Sequence, residues 1–355
     1  MTTDPSFWRG RRVFLTGHTG FKGSWLSLWL SEMGAEVTGY ALPPPTKPSL
    51  YEAARVDGCV RSVTGDVRDA KALRLALREA APSVVIHMAA QSLVRPSYEN
   101  PAETFEVNVL GTANLLDAAR AAEGVSAVIV VTSDKCYENR EWLWAYRENE
   151  PLGGHDPYSA SKACAEIVAA SYRRSFFHDV KAPAVATVRA GNVIGGGDWA
   201  RDRLVPDLVS AFCVNRAAMI RNPLAVRPWQ HVLEPLSGYL MLAERLVSDK
   251  AAFSEAWNFG PGEGDSVPVS AVADRMAALW GEGASWAQEP GSHVHEAHLL
   301  SLSAAKARAR LGYRPRIGLD EALSLTVSWY KAHHQGADMR AATLEQIRGF
   351  ARKGA

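Results

Sequence analysis

Cysteine is scarce: Cys59, Cys136, Cys164 and Cys213 are the four among 355 residues. They form no CxxC pair and no metal-type spacing, which leaves free thiols in a reducing compartment as the expected state. Long apolar runs are also missing, since none approaches the ~18 residues that spanning a bilayer needs. The stretch MTTDPSFWRGRR at 1–12 lacks an apolar signal core, so a cytoplasmic protein is expected. Net charge is nearly absent. With 39 Lys+Arg against 38 Asp+Glu the balance is +1, which gives no bulk field to attract nucleic acid or an anionic membrane. Any anionic ligand must then be met by local basic groups. The HEAH stretch at 295–298 is not HExxH, so it implies no zinc site, and there is no internal repeat or low-complexity tract.

What is present reads as a folded α/β protein. Hydrophobic residues make up 47% and charged residues 22%, and the length suits two compact units. A short apolar run at 13–16 leads into GHTGFKG at 17–23, followed by helical spacing of Trp25, Leu28, Trp29 and Leu30 across 24–33. Strand, glycine turn and helix together form a dinucleotide-binding context. The glycines let backbone approach a pyrophosphate while the helix N-terminus supplies its positive dipole end. A second strand is expected at 35–42. It carries Tyr40-Ala41-Leu42 where a carboxylate would mark NAD, so NAD and NADP both stay open there, with Lys22 and Lys47 as the lysines able to meet a 2′-phosphate. Further strands are expected at 61–66, 83–89, 127–132 and 184–189, with helices at 70–80, 101–123 and 158–177. This alternation predicts a doubly wound parallel sheet of Rossmann type, with ligands bound outside the carboxyl ends of its strands. Gly17, Asp66, Ala89 and Ser133 fall at such ends. Asp66 either accepts from an adenine amino group or caps the next helix.

The residues able to do chemistry are Ser133-Asp134-Lys135 at a strand end and the pair Tyr158 and Lys162. Tyrosine and lysine four apart share a helical face. A phenol with a reference pKa near ~10 is a poor base at neutral pH, but a nearby ammonium and a cationic nicotinamide ring each favour the phenolate. Tyr158 then takes the proton of an alcohol whose hydride departs, Lys162 tunes it, and Ser133 hydrogen-bonds the same alcohol. Asp134-Lys135 as an exposed strand-end ion pair is the plain alternative.

These motifs, with TSDKCYEN at 132–139, YSASK at 158–162, RAGNVIGGGDW at 189–199, RPWQHVLEPLSGY at 227–239 and WNFGP at 257–261, resemble the extended short-chain dehydrogenase/reductase family, and within it the nucleotide-sugar 4,6-dehydratases. The likeness runs from Phe7 to about Trp329. It implies an NAD-binding Rossmann domain at 1–190 plus about 226–258, and a sugar-nucleotide lobe at about 191–225 and 259–355. It implies cofactor contacts from Gly17, Thr19, Gly20, Phe21, Lys22, Gly23, Asp66, Val67, Ala89, Ala90, Gln91, Asn108, Thr132, Tyr158 and Lys162. Substrate contacts are implied for Ser133, Asn192, Arg203, Leu204, Arg227, Asn258 and His298, and Arg227 suits a diphosphate because guanidinium engages oxygens two at a time. The implied reaction is a lyase reaction of deoxysugar (lipopolysaccharide O-antigen) biosynthesis: oxidation at C4, loss of water across C5 and C6, and return of hydride to C6. Relatives acting on dTDP-glucose carry Asp-Glu where this chain has Asp134-Lys135. The Asp-Lys pair, with overall likeness, implies CDP-glucose as substrate and Lys135 as the C5 base, for which its pKa must fall well below the reference ~10.4. A sugar-nucleotide 4-epimerase, a dehydratase of dTDP- or GDP-sugars, and a catalytically silent NAD sensor are the alternatives. Trp142 and Trp144 either cover the sugar or pack. Helices at 267–280 and 320–333 belong to the smaller lobe, the last residues read as a polar, loose tail, and the helices at 101–123 and 158–177 are expected to pair in a homodimer.

Overall fold

The computed structural model describes residues 3–179, 181–291 and 297–354. Seven parallel strands form its central sheet: β1 (Arg12–Thr16), β2 (Glu36–Ala41), β3 (Arg61–Thr64), β4 (Val84–His87), β5 (Ala127–Val131), β6 (Ala184–Arg189) and β7 (Ala256–Asn258). Their order is β7-β6-β5-β4-β1-β2-β3, with Val13 opposite Val37 on one side and Val84 on the other. The central strands β4, β5 and β6 are buried along their whole length. Their valine- and isoleucine-rich, non-alternating sequences suit that, because helices cover both faces. The chain reverses direction across the sheet between β1 and β4, which opens a crevice at the carboxyl ends there.

Helix α1 (Phe21–Glu32) follows the glycine turn and α2 (Ala70–Ala80) follows β3. Asp69 caps α2 by accepting from the N–H groups of Lys71 and Ala72, so the capping alternative for Asp66 falls away. The helix expected at 101–123 is a run from Pro101 to Ala121 interrupted at Glu106–Leu110 by a π-helical turn before α3 (Gly111–Ala121). Helix α4 (Pro157–Ser175) starts on an Asp156 cap with Pro157 in its first turn and ends in Arg173-Arg174, as its dipole favours.

Beyond β6 the alternation loosens. Helix α5 (Leu204–Phe212) lies beside the short strand Ala218–Ile220, which pairs in parallel with Trp286–Gln288. Val226–Pro228 pairs antiparallel with Ser266–Pro268. Helices α6 (Leu233–Ser248), α7 (Val269–Trp280) and α8 (Leu319–His334) complete this part. The loose tail is overturned: Met339–Arg352 forms α9, which buries Met339, Thr343, Ile347 and Phe350. Phe350 meets Trp29 of α1 edge-on at 5.6 Å. One continuous core runs from Trp8 through α1 and α6 to Phe350, so both parts share their interior. All four cysteines are free, and no helix among the described residues is long and apolar enough to cross a membrane.

Candidate active site

A cavity of about 920 Å³ lies at the carboxyl ends of the strands, within the size range of sites for cofactors and small substrates. At its first end the glycine turn meets α1. A Cβ on Gly23 would lie 2.1 Å from the Gly17 carbonyl oxygen, so only glycine lets the helix start this close to the strand. No side chain caps α1 at Gly20, and a Cβ there would meet nothing nearer than 3.5 Å. The first N–H groups of the helix therefore face open space, the arrangement that receives a phosphate. Thr19 donates to the Leu42 carbonyl at 2.9 Å and ties this turn to the end of β2.

The floor is held by a relay that the sequence did not reveal. Thr16 Oγ1 accepts from the N–H groups of Met88 and Ala89, both at 3.1 Å, so its own proton goes to His87 Nδ1 at 2.7 Å. Thr112 spends its proton on the Asn108 carbonyl at 2.7 Å, leaving its oxygen to accept from His87 Nε2 at 3.3 Å. His87 is thus neutral with its proton on Nε2, and burial depresses its pKa to about 3. Asn108, expected as a cofactor contact, does not line the cavity. From the π-helical turn it donates to the Gln91 carbonyl and to Ser161 Oγ, and accepts from the Gln91 N–H. It fixes the 89–91 loop against α4, the kind of task π-helical turns often serve.

At the centre, Thr132, Ser133, Asp134, Lys135, Tyr158 and Lys162 all line the cavity. Ser133 Oγ bonds Asp134 Oδ1 at 3.0 Å and accepts from the Lys135 N–H at 3.2 Å, capping a single turn at Asp134–Cys136. Asp134 is 3% exposed, and its Oδ2 has no hydrogen-bond partner among the described residues. Burial raises its pKa against the opposing pull of Lys135. It is tucked against Gly191, where a Cβ would come within 1.8 Å of Oδ2. Burial likewise pushes Tyr158 up to about 12, with the Ser133 hydroxyl pulling the other way. The lowering expected at Tyr158 is therefore absent from the protein's own charges. Lys162 donates to the Val131 carbonyl at 3.2 Å. Burial lowers its pKa to about 8, opposed by Cys136 and Glu166. The Lys22 ammonium turns inward to Tyr239 Oη at 3.4 Å. Burial lowers it to about 7, reinforced by Lys162 and Arg203 and opposed by Asp134. Lys162, Arg203 and Asp134 thus lie within electrostatic reach of Lys22, a cation-rich interior that suits anionic ligands.

Neither lysine named for a 2′-phosphate is placed to meet one: Lys22 points to the reactive centre, and Lys47 is exposed and off the cavity. Asp66 lines the wall, but both its oxygens are engaged by Arg68. At the far end, Asn192, Arg203, Leu204 and Arg227 line the cavity. Arg203 bonds Asp198 at 2.8 Å and Ser92 at 3.0 Å, while Arg227 is buried against the carbonyls of Val226, Ala297 and His298. Sequence reasoning missed the clasp beside them, in which Arg95 and Arg221 both bond Asp202 Oδ1, at 2.9 and 2.8 Å.

Two expected substrate contacts do not reach the cavity. Asn258 is fully buried, accepting from Tyr137 Oη at 2.7 Å and donating to the carbonyls of Tyr146 and Ser303. His298 is exposed and offers its backbone to Arg227; His295 and Glu296 of the HEAH stretch lie outside the described residues. Trp142 and Trp144 pack against each other at 5.0 Å with rings tilted by 34°, and Trp142 meets Tyr146 at 5.3 Å, away from the cavity.

Residues 14–326 match the family model described as GDP-mannose 4,6 dehydratase. The chain is 54% identical over 351 residues, 98% of each protein, to a CDP-glucose 4,6-dehydratase of Salmonella typhimurium. It is 30% identical over 276 residues to a dTDP-glucose 4,6-dehydratase of Streptomyces antibioticus, covering 78% of this chain and 77% of that one. Among solved structures, a dTDP-glucose 4,6-dehydratase double mutant from Streptomyces venezuelae with NAD bound aligns at TM-score 0.77 and 25% identity, covering 93% of this chain and 99% of that one.

Proposed function

The chain belongs to the GDP-mannose 4,6 dehydratase family, and from that premise we propose that it is an NAD-dependent hydro-lyase converting CDP-glucose to CDP-4-keto-6-deoxyglucose in deoxysugar biosynthesis. The observation that carries this reading is the convergence of Ser133, Asp134, Lys135, Tyr158 and Lys162 on one cavity with an uncapped helix N-terminus at one end and Arg203 and Arg227 at the other.

The N-terminus of α1, the glycine turn, the 89–91 loop and Lys162 would hold the dinucleotide. NAD, when bound, supplies a reversible two-electron acceptor and a positive charge beside Tyr158. Ser133 orients the C4 hydroxyl and Tyr158 takes its proton, the positive charge that bound NAD would supply favouring the phenolate. Asp134, whose pKa burial raises against the pull of Lys135, gives a proton to the C6 oxygen as that oxygen leaves as water. Lys135, half-buried beside it and without an ion-pair partner among the described residues, takes the proton from C5 and gives it back to C5 when C6 is reduced. The sum is loss of one water, a ketone at C4 and a methyl group at C6. Arg227 and Arg203 hold the diphosphate. The division of the chain into a dinucleotide domain (1–190 and about 226–258) and a sugar-nucleotide lobe is part of the same reading.

A homodimer joined through the helical run 101–121 and α4 follows from that reading, supported by Leu110 and Ile167 at 57% and 56% exposure. A cytoplasmic location is supported by the free thiols. The test of the activity is incubation with NAD+ and, separately, CDP-, dTDP-, UDP- and GDP-glucose, followed by assay for a 4-keto-6-deoxy sugar. Turnover of CDP-glucose at the highest kcat/KM is expected; a C4 epimer as product, or preference for another base, would sink the assignment.

A further inference from the structure

We propose that Glu166 and Arg189 form a positioning pair that sets the Ser133-Asp134-Lys135 turn against Tyr158 and Lys162. The proposal rests on the dehydratase reading above. Tyr158, Lys162 and Glu166 are spaced four apart and form one stripe of α4, with Glu166 a turn beyond the residues that meet the substrate. Glu166 is 2% and Arg189 3% exposed. The pair is bidentate: Arg189 Nε donates to Oε1 at 2.9 Å and Nη2 to Oε2 at 2.8 Å.

Of the remaining bonds of the pair, one runs from Arg189 Nη1 to the Glu148 carbonyl at 3.2 Å, and the others run to segments that flank the site. Thr132, which directly precedes the reactive turn, donates to Glu166 Oε1 at 2.5 Å, and Thr187 of β6 donates to Oε2 at 2.7 Å. Arg189 Nη1 donates to Tyr137 Oη at 2.7 Å, directly after the turn, and the guanidinium also faces that ring at 4.9 Å. Tyr137 passes the connection to Asn258 of β7. The reactive turn is therefore clamped from both sides, at Thr132 and at Tyr137, by one ion pair rooted on the helix of Tyr158 and Lys162.

Stability is a poor account of such a pair, since buried ion pairs are often no more stabilising than hydrophobic groups of equal volume. Fixed geometry is a better one, because a displacement of about 1 Å at reacting groups costs on the order of a hundredfold in rate. Glu166 also acts on Lys162 through charge. Burial works to raise its own pKa, but the Arg189 charge and the bonds from Arg189, Thr132 and Thr187 outweigh that and keep it ionised. Tyr158 shares its helical face, and the groups coupled to Lys162 by charge are Glu166 on its own helix, Cys136 in the turn, neutral His87 from β4 and Lys22 from α1. Among them Glu166 is an anion that holds the Lys162 proton in place.

The test uses full-length Glu166→Gln and Tyr137→Phe, each checked for a native circular-dichroism spectrum and melt. For folded Glu166→Gln we expect kcat for the sugar nucleotide to fall by about tenfold or more with KM within about twofold, and the alkaline limb of kcat to move to lower pH as Lys162 loses its proton more easily. Tyr137→Phe leaves the ion pair intact and loosens only the clamp; it should lower kcat about threefold to tenfold with the limb unmoved. Wild-type kcat in a folded Glu166→Gln, or a fall in kcat with an unmoved limb, overturns the proposal. If Glu166→Gln does not fold, Tyr137→Phe decides by itself, with wild-type kcat as the refuting outcome. Failure of the dehydratase reading is separate, because it appears as absence of turnover in the unmodified protein.

Discussion

Asp134 and Lys135 are adjacent in sequence and differ in environment. Asp134 is enclosed by Ser133, Gly191 and the strand ends, so desolvation raises its pKa and favours the acid form that can give a proton. Lys135 is half-buried and lines the cavity. Replacing Lys135 by Met removes the group proposed to take the proton from C5. Oxidation at C4 should persist, seen as absorbance of reduced cofactor, while the 4-keto-6-deoxy product falls by about 10²-fold or more, the usual scale of a general base. Undiminished product would remove Lys135 from the mechanism. At this scale the sequence was informative wherever chemistry and spacing coincide. Tyr158 and Lys162 are legible because a helix brings i and i+4 together, and Ser133 because it ends a strand. Asn258 was misread because its polarity serves Tyr137 and Tyr146 inside the core, and a buried amide looks the same in sequence as one that faces a ligand.

The elements themselves were largely legible, since the strands are short β-branched runs and α2 and α4 carry their caps in the sequence. Two were not. The π-helical turn at Glu106–Leu110 changes no composition; it shifts Asn108 toward Gln91 and Ser161, which only three-dimensional contacts reveal. Helix α9 has a polar sequence, but four residues at helical spacing meet α1 and neighbouring helices, and burial of Phe350 against Trp29 stabilises it. The outward faces of the 101–121 run and α4 carry the exposed Leu110 and Ile167. If these helices pair in a dimer, Leu110→Glu combined with Ile167→Glu should place four charges in that interface. Sedimentation should then fall from the mass of two chains to that of one, while the circular-dichroism spectrum stays native. A wild-type chain that sediments as a monomer would sink the dimer.

Across the whole molecule, buried titratable groups set how stability depends on pH. Burial lowers His18 to about 4 and His87 and His231 to about 3. Between these values and the unfolded value near ~6.5 the unfolded chain binds protons that the native one refuses, so their contribution grows as pH rises through that window. Burial raises Glu234 and Glu244 to about 7 and Asp207 to about 6. Here the native state holds protons that the unfolded chain releases, so their contribution shrinks as pH rises from ~4.5 to ~7. The two sets nearly cancel from about pH 5.5 to 7, and below about pH 5 the histidines prevail and stability falls. Lys22, at about 7, adds stability only above that range. Glu234 offers a direct test because its Oε1 accepts from the N–H groups of Arg316 and Ile317, both at 2.7 Å, and a glutamine oxygen can keep both bonds. Chemical denaturation of Glu234→Gln should give an unfolding free energy that climbs with pH between 5 and 7, by up to about 1.4 kcal/mol per pH unit, where the wild type stays flat. Parallel curves for the two proteins would show that Glu234 holds no extra proton in the native state.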